Sequence, residues 1–212
     1  MKSKLYAILD TDVLASVGLT PLDVADAWLD AGVRLIQLRA KSLPDGPLQA
    51  LADALVDRVH AVGGQLLIND RADIATLCRA DGVHVGQDDL SPADVRRVVG
   101  RTAAVGLSTH DAGQVERALA QPISYLAIGP VFATQTKNTG CEAVGPAGVR
   151  RAAEAACAQG VPVVAIGGIT RDRAAGTMAA GANALAVISD LVDPASAAAC
   201  GRRASDWLTR LG

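Results

Sequence analysis

Aromatic side chains are almost missing from this chain: two Trp, two Tyr and one Phe among 212 residues. That leaves little for base stacking, and 20 basic against 22 acidic residues leave no electrostatic footprint for DNA or RNA. Nucleic acid is therefore not expected as a partner. Paired cysteines are missing too. Cys78, Cys141, Cys157 and Cys200 show no CxxC spacing and no neighbouring histidine, which argues against zinc or a disulfide framework and for thiols in a reducing compartment. No stretch approaches the ~20 apolar residues of a membrane helix. The start, "MKSKLYAILD", breaks at Asp10 before a signal peptide could form. A cytoplasmic protein with no membrane partner is expected. Among catalytic motifs, the serine nucleophile elbow, the HExxH helix, the P-loop and the dinucleotide-binding glycines are all absent.

What is present is a regular alternation. Short apolar runs at Leu5 to Leu9, Leu35 to Leu38, Leu66 to Ile68, Val83 to Val85, Ala104 to Leu107, Tyr125 to Ile128, Val163 to Ile166 and Ala184 to Ile188 read as strands. Alanine-rich amphipathic stretches separate them. Pro21 after Thr20, Pro47 after Gly46 and Pro92 after Ser91 mark helix starts, and further helices are expected near Ala72, Asp111, Gly145, Arg171 and Asp193. Gly32, Gly63, Gly64, Gly100, Gly160 and Gly181 stand where helices should stop. Eight strand and helix pairs without a linker predict one α/β domain over residues 1–212, a (β/α)8 TIM barrel.

In such a barrel the active site lies at the carboxyl ends of the strands. Reading those positions collects Gln37, Arg39 and Lys41 from "IQLRAKS", then Asn69 and Asp70, then Gln87, Asp88 and Asp89. Ser108, Thr109 and His110 follow the fifth run, Thr134, Thr136 and Lys137 the sixth, Gly167 and Gly168 the seventh, and Ile188 and Ser189 the eighth. Arg39, Lys41 and Lys137 have the charge to hold a diphosphate, or are solvated surface charges. Asp70 and Asp89, with oxygen donors around them, suit a hard cation such as Mg²⁺, or else cap the helices that follow. The Gly167-Gly168 pair and Ser189 fit a phosphate site made of backbone N–H groups, although a Gly-Gly pair is also a plain tight turn. Ser108, Thr134 and Thr136 bond a ligand or cap turns. His110 is a general base or a helix-start residue. Two anion sites, a divalent cation and no nucleophile point to an enzyme that joins or rearranges phosphorylated small molecules.

Together, "IQLRAK", "INDRADIA", "DGVHVGQDDLSP", "VGLSTHD", "YLAIGPVFATQTK", "VVAIGGI" and "ALAVISDL" resemble the thiamine phosphate synthase family in order and spacing. The resemblance implies a Mg²⁺-dependent transferase with two small-molecule substrates. It would join 4-amino-5-hydroxymethyl-2-methylpyrimidine diphosphate to 4-methyl-5-(2-phosphoethyl)thiazole, releasing pyrophosphate. Position by position, it implies Gln37, Arg39, Lys41, Asn69 and Lys137 for the pyrimidine diphosphate, and Asp70 and Asp89 for Mg²⁺. Ser108 falls near the reacting groups, Thr134 and Thr136 at the thiazole phosphate, and Gly168, Ile188 and Ser189 at the remaining phosphate contacts. Catalytic roles are implied for Arg39, Lys41, Ser108 and Lys137. "NTGCEAVGPAG" after Lys137 departs from the family's proline-rich run. A thiazole tautomerase on the same barrel, a catalytically silent phosphate-binding barrel, and a sugar-phosphate isomerase or epimerase on the same scaffold are the alternatives. The tautomerase would use His110 and would have no need of Asp70 and Asp89.

Overall fold

The computed structural model describes residues 3–134 and 142–212. Within them the apolar runs become eight parallel strands that close into a barrel in chain order. These are β1 (Leu5–Asp10), β2 (Leu35–Arg39), β3 (Gln65–Asn69), β4 (Gly82–Val85), β5 (Ala104–Thr109), β6 (Tyr125–Ile128), β7 (Val163–Ile166) and β8 (Ala184–Val187). Closure is made by β1 against β8, with Leu5 beside Leu185 and Ala7 beside Val187. Strands buried on both faces need apolar residues at every position, which is why these runs show little alternation in sequence. Side chains still alternate in space. Tyr6, Ile8, Leu35, Leu67, Tyr125, Ala127 and Val164 fill the lumen, while Leu5, Ala7, Leu9, Ile36 and Leu38 meet the helices.

The helices are α1 (Thr11–Ser16), α2 (Pro21–Asp30), α3 (Asp45–Ala61), α4 (Ala72–Leu77), α5 (Pro92–Val99), α6 (Ala112–Leu119), α7 (Gly145–Cys157), α8 (Arg171–Ala179) and α9 (Ala197–Leu211). A 3₁₀ turn at Ser189–Leu191 follows β8. Thr20, Ser91 and Asp111 cap α2, α5 and α6 by accepting from the backbone N–H three residues on, at 3.4, 3.2 and 2.8 Å. Three boundaries differ from the sequence expectation. α3 begins at Asp45 rather than Pro47, with Pro44 in the N-cap place and no side-chain cap. α9 begins at Ala197, not near Asp193. Pro194 holds Asp193 out of the helical region, and Ser196 supplies the cap through Ala199 N at 3.1 Å. The third is α1, which the sequence reading did not predict; Asp10 caps it, accepting from Asp12 N and Val13 N at 3.0 and 3.1 Å. Trp28 of α2 and Trp207 of α9 are fully buried under the barrel wall, and truncating either to Ala should cost ~3–5 kcal/mol.

Candidate active site

Every strand delivers its last side chain to one rim, and the two halves of that rim differ. On the β1 to β4 side the groups are charged and mutually paired. Arg39, the last residue of β2, points inward by strand alternation, and its guanidinium donates to Asp10 Oδ2 at 2.5 Å. Asp10 is 2% exposed, and its Oδ1 is already spent on the α1 cap. The guanidinium is thereby held in place from below. Two residues on, the Lys41 ammonium pairs with the Asp70 carboxylate. Asp70 adopts a left-handed backbone conformation, φ 61°, which a non-glycine residue holds only at a cost of ~1–2 kcal/mol. Its N–H donates to the His84 carbonyl at 2.7 Å.

Burial pushes the Asp70 carboxyl above the ordinary carboxylate range; Lys41 pulls it back, and the adjacent Asp89 carboxylate pushes it up again. Two carboxylates this close repel, a repulsion that a bound divalent cation would relieve. Neither caps a helix. α4 has no side-chain cap, α5 is capped by Ser91, and Asp89 Oδ2 accepts from Gly86 N within its own loop at 2.7 Å. Mg²⁺ is commonly bound by one or two protein carboxylates, with water and substrate phosphate completing its shell, so this donor pair fits it. Asn69 stands beside His84 in the β3–β4 register. Gln37 is 2% exposed and gives its amide hydrogen to the Tyr6 hydroxyl at 2.7 Å.

The β5 to β8 side is a cavity of about 250 Å³ walled by Ser108, His110, Thr134, Gly167, Gly168 and Ser189, with Ile188 beside them. The two glycines are needed for shape. Gly167 and Gly168 have φ of 97° and 61°, and a Cβ on Gly168 would stand 2.7 Å from the Ala133 carbonyl oxygen. The loop after β6 is sewn to them, with Val131 N and Phe132 N donating to the Ile166 and Gly167 carbonyls at 2.9 and 3.0 Å. His110 Nδ1 lies 2.5 Å from the Gly129 carbonyl. A carbonyl only accepts, so Nδ1 carries the hydrogen of this contact. Thr136 and Lys137 lie outside the described residues.

Four residues at this rim or beneath it were missed in the sequence. Asp10 ends its strand at the same level as Arg39, to which it is paired in register, so the strand-end rule that found Arg39 also points to it. His84, Tyr6 and Tyr125 lie within apolar runs and gave no signal of their own.

The geometry can be set beside known proteins. The model of the thiamine monophosphate synthase family matches residues 5–191. A thiamine-phosphate synthase from Moorella thermoacetica is 36% identical over 206 residues, covering 97% of this chain and 96% of its own. The bifunctional thiamine biosynthesis protein ThiM/ThiE of Symbiobacterium thermophilum is 45% identical over 85% of this chain, which spans 38% of that longer protein. Among solved structures, the thiamine phosphate pyrophosphorylase of Pyrococcus furiosus superposes with a TM-score of 0.78 at 26% identity, covering 97% of this chain and 96% of that one. The match runs through all eight strands, and the chain belongs to the thiamine monophosphate synthase family.

Proposed function

We infer that the protein is a thiamine-phosphate synthase, a transferase that joins the pyrimidine diphosphate to the thiazole phosphate and releases pyrophosphate. The observation that carries this reading is the near end-to-end match to a protein of that name. The divided rim fits the two substrates. The charged half suits a diphosphate leaving group, with Arg39 and Lys41 as its cations and Asn69 and Gln37 beside it, and the family resemblance adds Lys137 to that set. Asp70 and Asp89 would hold Mg²⁺, which when bound neutralises diphosphate charge. Gly168, Ile188 and Ser189 offer backbone to the thiazole phosphate, with Thr134 at the same end; the family resemblance adds Thr136.

The chemistry asks little of a nucleophile. The electron-rich aminopyrimidine expels pyrophosphate and leaves a stabilised cation at its exocyclic CH₂, which the thiazole nitrogen attacks. Arg39, locked by Asp10, needs no reorganisation as charge develops on the leaving group, and preorganised donors of this kind are worth ~3 kcal/mol each. The cavity wall of Pro130, Ile166 and Ile169 keeps water from the cation.

The test is an assay with both substrates and Mg²⁺, following pyrophosphate and thiamine monophosphate together, with an EDTA arm. Matched, Mg²⁺-dependent appearance of both products is the expected result. Folded protein that forms neither product, yet isomerises a thiazole carboxylate phosphate, would replace the reading with the tautomerase.

A further inference from the structure

The barrel lumen holds a polar chain of which this mechanism uses only Gln37. Gln37 Nε2 donates to the Tyr6 hydroxyl at 2.7 Å, and the hydroxyls of Tyr6 and Tyr125 lie 3.0 Å apart. The Tyr125 hydroxyl is 2.8 Å from His84 Nδ1, and His84 Nε2 is 2.8 Å from Ser108 Oγ. Five side chains on five strands thus run from the closed interior to Ser108 on the cavity wall. An apolar lumen would be simpler, since each buried polar group left unpaired costs ~1–3 kcal/mol. The sequence also makes room for this chain. A Cβ on Gly106 of β5 would stand 2.1 Å from Tyr125 Cζ and 2.6 Å from His84 Nδ1, so the two rings meet only because residue 106 has no side chain.

The direction of the hydrogen bonds follows from donor counting. An amide nitrogen can only donate, so the Tyr6 oxygen accepts, and the arrangement that leaves neither buried phenol hydrogen without a partner passes the Tyr6 hydrogen to Tyr125. Tyr125 in turn gives its hydrogen to His84 Nδ1. The ring hydrogen then sits on Nε2 and is donated to Ser108 Oγ. Ser108, accepting from beneath, has its own hydrogen left for the cavity. Burial raises both phenols, Tyr6 to about 12, so neither loses the hydrogen it hands on.

We propose that Gln37, Tyr6, Tyr125 and His84 are positioning residues, a one-way hydrogen-bond relay that presents Ser108 as a donor to an acceptor atom of the bound substrate. The proposal rests on the synthase reading for the identity of that substrate. No proton moves along the relay; it orients one hydroxyl. The polarity is opposite to that of a catalytic triad, in which histidine takes the serine hydrogen and makes a nucleophile. A serine held as a donor suits a reaction that needs no protein nucleophile.

Two measurements test it. Long-range ¹H–¹⁵N spectra of the wild-type protein should find His84 as the Nε2-protonated tautomer. Tyr125→Phe should lower kcat about tenfold with KM changed by less than about twofold, the scale of one lost hydrogen bond to a developing charge. In the Ser108→Ala background the same change should have no further effect, because the relay acts only through that hydroxyl. An Nδ1-protonated His84 in the wild type overturns the proposal, as does a Tyr125→Phe effect that multiplies that of Ser108→Ala. A wild type without synthase activity would instead sink the functional reading, and the tautomer would still report the relay's direction.

Discussion

The β1 to β4 half of the rim holds anions and cations in side chains that pair with each other, whereas the β5 to β8 half offers backbone and small residues around a cavity. On the proposed reading the difference matches two tasks. A departing diphosphate gains charge during the reaction, so fixed cations beside it stabilise the transition state more than the ground state. A phosphate that only anchors its molecule has the same charge throughout, and N–H groups at a glycine turn hold it without the entropy of long side chains. Changes on the first side should therefore alter turnover, and changes on the second should alter binding.

The sharpest way to break that contrast is Arg39→Ala. Turnover should fall a hundredfold or more, on the ~3 kcal/mol scale of a preorganised donor. The melting temperature should drop too, because Asp10, 2% exposed, loses its partner. Lys41→Ala should lower turnover with no loss of melting temperature, since Lys41 is 49% exposed. Equal kcat for Arg39→Ala and wild type would end the contrast. Next in size, Asp89→Asn should raise the Mg²⁺ concentration for half-maximal rate at least about tenfold, read from a Mg²⁺ titration. An unchanged titration would remove Asp89 from the metal site.

On the other half, Gly168→Ala should raise KM for the thiazole phosphate about tenfold while kcat stays near wild type. It should also cost at least ~1–2 kcal/mol of stability for a left-handed alanine, with the contact of its Cβ against the Ala133 carbonyl adding to that, measured by denaturant unfolding. A fall in kcat at unchanged KM would assign that turn to the chemistry. The smallest effect lies beneath both halves. The chain has only two tyrosines, and both are buried in the lumen with raised pKa values, Tyr6 at about 12. The unfolded chain ionises near 10, so stability is unaffected below that pH and is lost as pH rises from about 10 towards 12. Ultraviolet titration should show little tyrosinate at pH 10 until the protein unfolds; half-ionised tyrosine in folded protein would contradict the burial.

Much of this was legible in one dimension. Arg39, Lys41, Asp70 and Asp89 could be found because they are polar residues placed just after apolar runs, and the barrel sends all such positions to one rim. Gly167 and Gly168 were legible as a pair, but their need for positive φ and the closeness of Ala133 were not. The helix starts capped by Thr20, Ser91 and Asp111 were legible, whereas α1, capped by Asp10 from the end of an apolar run, was not. α3 and α9 were not, because a proline upstream or a cap nearer the helix moved the boundary.

By itself, then, the sequence determined the number and order of strands, the parallel barrel and the level at which the charges gather, since these follow from local periodicity, turn residues and the rule that ligands sit at strand ends. Only the tertiary structure decided who pairs with whom. Asp10 finds Arg39 from 29 residues away, and Tyr6 finds Tyr125 from 119 away. A buried polar residue inside an apolar run has no periodic signature; it becomes readable only when barrel closure brings its partner across the lumen, because the cost of leaving it unpaired is settled by neighbours far along the chain.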